Sequence, residues 1–348
     1  MAANARRYAV DILSFEEAIA QADEQGGKKH VLLGNGFSIA CRPDRFTYGA
    51  LLDEATFDDA STDLHSVFEL LGTTDFERII ELLRLAATLG ERYGADSDLC
   101  DRLRADAAVV RAALATVLAS RHPDYPWDVE DAEYEAAREF LSHFERIYTI
   151  NYDMLLYWTV MQDMEPAVPR NDGFGTPEDP EAPYVAWDPY TVFKTQRVFY
   201  LHGSLHLYDS GPELTKITWS RTGIPLVDQI REALEEGRFP LIVTEGTSED
   251  KVDKILHSAY LNHAIRSFGS IHGSLFLYGL SLAPNDAHLL RRIEEGSTSM
   301  MYVSIFGDPE SNANQQVISR AEALAQGRPA VRPLEVRFFD AQSAGVWG

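Results

Sequence analysis

The chain has 348 residues, 45% of them hydrophobic and 24% charged, enough for one large or two ordinary globular domains with a substantial core. With 54 acidic against 31 basic side chains the net charge is −23, which argues against unaided binding to DNA, RNA or an anionic membrane. No apolar run approaches the ~20 residues that span a bilayer, and the opening Met-Ala-Ala-Asn-Ala-Arg-Arg leads into an acidic amphipathic stretch rather than a signal-peptide core, so a cytoplasmic location is expected.

The first buried run, 30–34, ends in Gly34-Asn35-Gly36-Phe37-Ser38 and precedes a helical pattern. Glycines there let backbone N–H groups approach a pyrophosphate, and a following helix N-terminus adds partial positive charge; a plain strand-to-helix turn is the alternative. Ile39 stands where the strict dinucleotide fingerprint wants a third glycine, which disfavours a hydride-transferring dehydrogenase. Cys41 and Cys100 lack CxxC spacing, so reduced thiols in or near the core are expected, with neither a disulfide nor a zinc site.

From 54 to 144 helical periodicity dominates, with Phe76, Ile79, Ile80 and Leu83 in one stretch and Leu99, Leu103, Val110 and Leu114 in the next; this is read as a helical insertion. The run 146–150 is followed by Asn151-Tyr-Asp153. Asn151 offers a donor and an acceptor able to orient a ribose hydroxyl or a water, while Asp153 can fix the turn; an Asx turn into helix 154–160 is the competing explanation. The proline- and glycine-rich segment 162–196 suggests a binding loop or cover.

Run 197–201 leads directly into His202-Gly203-Ser204, which places His202 at a strand end where it can act as a base or hold a ribose. A similar phrase at His272 comes before its strand, 275–280, and belongs at the opposite edge of a sheet. At and after the end of 275–280 come Gly279, Ser281 and Asn285, fitted to a second close-approach turn, with Asp286 and His288 read as helix-cap residues. Runs 240–244, 301–306 and 334–339 bring the strands to seven.

Strands alternating with helices predict an α/β fold: a Rossmann-like, doubly wound, mostly parallel sheet with a helical insertion. Residues 1–53 and 145–348 form the nucleotide-binding domain and 54–144 the insertion, with 162–196 a cover within the main domain. In such a sheet the strand ends converge on one crevice, which brings the four motifs together.

The ordered set Gly-Asn-Gly-Phe-Ser, Thr-Ile-Asn-Tyr-Asp, Leu-His-Gly and Tyr-Gly-Leu-Ser-x-x-x-Asn-Asp resembles the sirtuin-like NAD-binding superfamily, especially the bacterial branch that consumes NAD in antiphage defence. Val243–Lys251 and His257–Leu261 are also similar to a bacterial family of unknown function within that superfamily. The resemblance implies that Gly34, Asn35, Gly36, Phe37 and Ser38 form the NAD loop, and that Asn151 and His202 are the catalytic pair. It also implies that Asp153 supports the nicotinamide ribose, and that Gly279 and Ser281 form the second dinucleotide turn, with Asn285 near the adenosine ribose.

The four-cysteine zinc ribbon of deacetylating sirtuins is missing from the sequence, so no metal is expected, NAD is a substrate rather than a cofactor, and protein deacetylation is disfavoured. The implied activity is NAD glycohydrolysis in antiphage defence, restrained until assembly or a partner releases it. A non-catalytic NAD or ADP-ribose sensor and an ADP-ribosyl transferase or cyclase are the alternatives. Family behaviour further implies a homo-oligomer and a ring-forming ATPase partner. No Walker-type GxxxxGK[ST] element occurs here.

Overall fold

A computed structural model describes residues 10–189, 195–210, 213–244 and 248–348. Residues 1–9 of the opening stretch, 190–194 of the segment 162–196 and 245–247 of the stretch Val243–Lys251 lie outside the described residues.

In chain order the strands are β1 (Ile12–Leu13), β2 (Lys29–Leu33), β3 (Arg146–Thr149), β4 (Phe174–Gly175), β5 (Tyr184–Trp187), β6 (Val198–Tyr200), β7 (Leu207–Asp209), β8 (Leu214–Ile217), β9 (His272–Tyr278), β10 (Ser297–Ile305) and β11 (Glu335–Asp340). Seven of them form one parallel sheet in the order β1-β11-β10-β9-β2-β3-β6. With the short edge strand β1 set aside, the other six, numbered by appearance, run 3-2-1-4-5-6, the strand order of dinucleotide-binding domains. The fold is therefore α/β and Rossmann-like.

Continuous apolar runs such as Val31-Leu32-Leu33 arise because both faces of this sheet are covered. Val31 lies in register with Ile147 and Phe276, so these three share a face. There the Phe276 ring meets Phe15, from helix Phe15–Gln25, and Phe144, just after helix Asp131–Ser142. Leu32 pairs with Tyr148 and points to the other face, where Tyr148 meets Phe268 of helix Ala259–Gly269. Cys41 and Cys100 are free and buried.

Two expectations change. The run 240–244 is no strand: Ile242 makes only an isolated bridge to Gly203. Leu241, Ile242 and Val243 are apolar because they are buried across the end of β6, which a strand pattern imitates. The seventh strand of the sheet is instead β1, whose two residues are too few to show a period. The segment 162–196 also holds more order than its prolines suggest, since β4 and β5 join β8 and β7 in a four-stranded antiparallel sheet.

The stretch 54–144 contains helices Leu64–Leu71, Phe76–Arg92, Ser97–Arg121 and Asp131–Ser142. Asp63, Asp75 and Asp96 each accept a hydrogen bond from the first turn of the helix they precede, satisfying donors that a helix start leaves open. The last of these helices lies on the central sheet, its Phe140 ring 5.1 Å from that of Tyr278. No helix among the described residues is long and apolar enough to cross a membrane.

Phe276 is fully buried and stacks on Tyr302 of the adjacent strand as well as on the helix face. Phe276→Ala is expected to lower unfolding free energy by about 3–5 kcal/mol, measured by urea denaturation at unchanged m-value.

Candidate functional site

The switch point of the sheet lies between β2 and β9, and the loops that leave these strands interlock there. Gly34 N–H donates to the Tyr278 carbonyl at 2.9 Å and Gly36 N–H to the Gly279 carbonyl at 3.0 Å. A methyl group on Gly36 would sit 2.4 Å from the Gly279 Cα, and one on Gly34 2.6 Å from the Gly279 oxygen. Gly279 itself has φ of 70°, which an L side chain rarely adopts. These three glycines are thus explained by backbone meeting backbone, before any ligand is considered. Leu282, just beyond, has φ of 52°, a strained value that its burial holds in place.

The rest of the first loop is anchored from below. Asn35 Nδ2 donates to the Phe46 carbonyl, and the Phe37 ring packs 5.0 Å from Trp347, whose Nε1 donates to the Phe37 carbonyl. Ser38 is fully buried and its hydroxyl donates to Asp153.

Asn151 binds this same loop: its Nδ2 lies 3.0 Å from both the Gly34 carbonyl and Ser38 Oγ. Asp153 accepts from Ser38 and, at 2.9 Å, from the Leu155 N–H. Burial raises its carboxyl pKa, and the hydrogen bonds from Ser38 and Leu155 oppose that. His122 completes the corner, accepting the Met154 N–H at Nε2 and contacting the Pro123 carbonyl through Nδ1; that pair of partners is compatible only with a neutral ring. Burial lowers its pKa to about 4.

His202, after β6, projects into a second polar cluster. Its Nε2 lies 2.9 Å from Nε2 of His288, and the rings stack at 5.1 Å. Its position depends on Gly203, where a methyl group would sit 1.8 Å from the Leu241 oxygen, and on the Val243 N–H, which donates to the His202 carbonyl. The nearest carboxylate oxygen is that of Asp286, at 4.0 Å. Beside them is Lys251, fully buried, its ammonium 2.5 Å from Glu77 and 3.2 Å from Asp286. Glu77 also meets Tyr152 OH at 2.7 Å and Asn285 Nδ2 at 3.2 Å.

Burial lowers the pKa of Lys251, but Glu77 and Asp286 more than offset it and hold the ammonium charged. Burial and then the Lys251 charge push His202 down to about 3, and burial with His202 does the same to His288. Both imidazoles are neutral at physiological pH.

Ligand atoms of His202, Asp286 and His288 lie within 4.8 Å of one another, a donor set of the type that holds a divalent cation. The Lys251 ammonium already supplies the cationic partner of Asp286, so the charge that would attract a metal is largely compensated.

The two strand-end groups therefore meet different partners. Asn151, Ser38 and Asp153 form one hydrogen-bonded set with Gly34, whereas His202 joins His288 and the Glu77–Lys251–Asp286 network; Tyr152, next to Asn151, reaches Glu77 and connects the two. Ser281 is exposed, with its carbonyl accepting from Arg320, and Asn285 turns to Glu77. Asp286 makes no side-chain cap bond and serves Lys251 instead, and His288 serves His202 rather than a helix end. His272 begins β9 and is exposed at the opposite end of the sheet.

Sequence reasoning missed Glu77, although it had a signal. An acid stands inside the apolar stripe Phe76, Ile80, Leu83 of a helix, where a solvated residue has no place. The family described as Domain of unknown function (DUF4917) matches residues 31–347. No curated protein matches the chain.

Glu77→Ala leaves the Lys251 charge short of its closest partner and is expected to destabilise the fold by about 3–5 kcal/mol. Adding Lys251→Met should recover part of that loss in a double-mutant cycle; strictly additive losses would show that the two charges are not coupled.

Proposed function

The chain belongs to the DUF4917 family, and from its site we propose that it is an NAD glycohydrolase, cleaving NAD to nicotinamide and ADP-ribose. The observation that supports this reading most is the meeting of the Gly34–Ser38 and Gly279 loops at the switch point of a 3-2-1-4-5-6 sheet, with Asn151 bonded to the first loop and His202 at the end of the next strand but one.

The chemistry asks little of the protein. Nicotinamide leaves as a neutral molecule from a positively charged ring, so no general acid is needed. The site must hold an oxocarbenium-like ribose, exclude bulk solvent and deliver one water. Asn151 positions ribose and water. A histidine with a pKa near 3 is a poor proton acceptor, so His202 acts mainly as a neutral hydrogen-bonding group toward ribose hydroxyls. Gly34, Gly36 and Gly279 bring backbone near the pyrophosphate, Ser38 and Asp153 brace Asn151, and Ser281 and Asn285 lie toward the adenosine side. An antiphage role, a homo-oligomer and a ring-forming ATPase partner, which the resemblance to the sirtuin-like superfamily implies, are part of the same proposal, and assembly would supply the release from restraint.

One observation favours a second reading, a nucleotide sensor without turnover. His202 is only 1% exposed and its Nε2 is engaged by His288, so in this conformation it is turned away from a ligand. Catalysis therefore requires the His202–His288 contact to open.

Purified protein, once assembled or joined by the ring-forming ATPase partner, is expected to release nicotinamide from NAD. Asn151→Ala and His202→Ala should each cut the rate by about 100-fold or more in variants that remain folded. Binding of NAD without nicotinamide release under any assembly condition would select the sensor. A cyclic product or a modified macromolecule in place of ADP-ribose would redirect the assignment to cyclisation or transfer. Because burial holds the folded-state pKa of His202 near 3, below the ordinary 6.5, its protonation state is constant above pH 5 as long as opening of the His288 contact leaves it shielded from bulk water. The cleavage rate should accordingly be flat from pH 5.5 to 8.5, and a limb near 6.5 would contradict the neutral role.

A further inference from the structure

At the other end of the sheet from the strand-end crevice lies a cavity of about 550 Å³, a size that accepts a small organic ligand. Arg146, the first residue of β3, and His263 and Arg266, on helix Ala259–Gly269, line it together with Trp187, Gln196 and Phe199. In a chain of net charge −23 the described residues of this wall include two guanidinium groups and no carboxylate. The acid next in sequence to Arg146, Glu145, is held by Lys28 at 2.5 Å.

Arg146 and Arg266 converge on His263, and after burial their charges are what disfavours a proton there. The His263 ring lies 5.7 Å from Trp187 and 5.9 Å from Phe199, so the cationic groups sit against an aromatic wall. Two lining donors are buried with no hydrogen-bond partner among the described residues: Arg146 Nε and Trp187 Nε1. Buried donors are normally satisfied, and a cavity that gathers unsatisfied ones beside arginine forks has the chemistry of an oxyanion site.

We propose that this cavity binds a small phosphorylated ring compound of nucleoside monophosphate size, with the phosphate on Arg146 and Arg266 and the ring against Trp187 and Phe199. The site is separate from the glycine loops and does not depend on NAD cleavage. Helix Ala259–Gly269 and β6, which form its walls, also connect to the crevice: Tyr260 OH accepts the Tyr200 N–H two residues before His202, so a ligand here abuts the element that carries the histidine.

Calorimetric titration of the full chain with AMP, GMP, CMP and UMP, with orthophosphate as control, tests this. At least one nucleotide is expected to bind at least tenfold more tightly than orthophosphate. Arg266→Gln, at an exposed helix position that the fold does not need, and Arg146→Gln should each weaken that binding at least tenfold, while Asn151→Ala leaves it unchanged. The proposal is overturned if no nucleotide binds, if orthophosphate binds as tightly, or if affinity survives both arginine variants. It is equally overturned if binding is lost in Asn151→Ala, which would place the nucleotide in the strand-end crevice.

Discussion

Everything at the functional end of this molecule depends on one close approach, the contact of the Gly34–Gly36 turn with Gly279. Two backbones meet there at distances that admit no Cβ, and two N–H groups of the first turn are spent on carbonyls of the second. The contact fixes the mouth of the switch point between β2 and β9, and the other parts take their places from it. Asn151 can reach the Gly34 carbonyl only because that turn is held down, and Ser38 can meet Asp153 only because the short helix Gly36–Cys41 starts where it does. Glycine here supplies proximity rather than flexibility.

The second organising feature is a charge in the wrong medium. A fully buried ammonium is tolerated because carboxylates from two distant parts of the chain, Glu77 and Asp286, converge on it. Such a network contributes little net stability, since desolvation offsets most of the attraction, but it is demanding about geometry. It ties helix Phe76–Arg92 to helix Ser248–His257 and to the start of helix Ala287–Glu295, and after burial the Lys251 charge adds to what keeps His202 neutral. A stretch that reads as an insertion is in this way made a structural party to the strand-end site.

The sheet was legible because parallel strands covered on both faces leave uninterrupted apolar runs, and because glycine or asparagine marks their ends; β2, β3, β6, β9 and β10 carry that mark. The run 240–244 misled for the same reason, since Leu241 to Val243 are buried without belonging to a ladder. Strands β4 and β5 were hidden by the prolines around them, and β1 by its brevity. Positions Gly34, Asn151, Asp153, His202 and Gly279 could be picked from local pattern. Their partners could not, because Glu77 and Lys251 meet across 174 residues of sequence and His288 meets His202 across 86. Asp286 and His288 show the cost of local reasoning: both stand at a helix start, and neither side chain is used there.

The two borders of the central sheet are unusually small, two residues in β1 and three in β6. A long bare border is a template on which another chain can extend a sheet, so a parallel sheet with interior strands as apolar as β9 is hazardous if its margins are accessible. Here the margins offer too few backbone groups to seed growth. Among the described residues, extension of the central sheet by another chain at these two margins is thereby disfavoured.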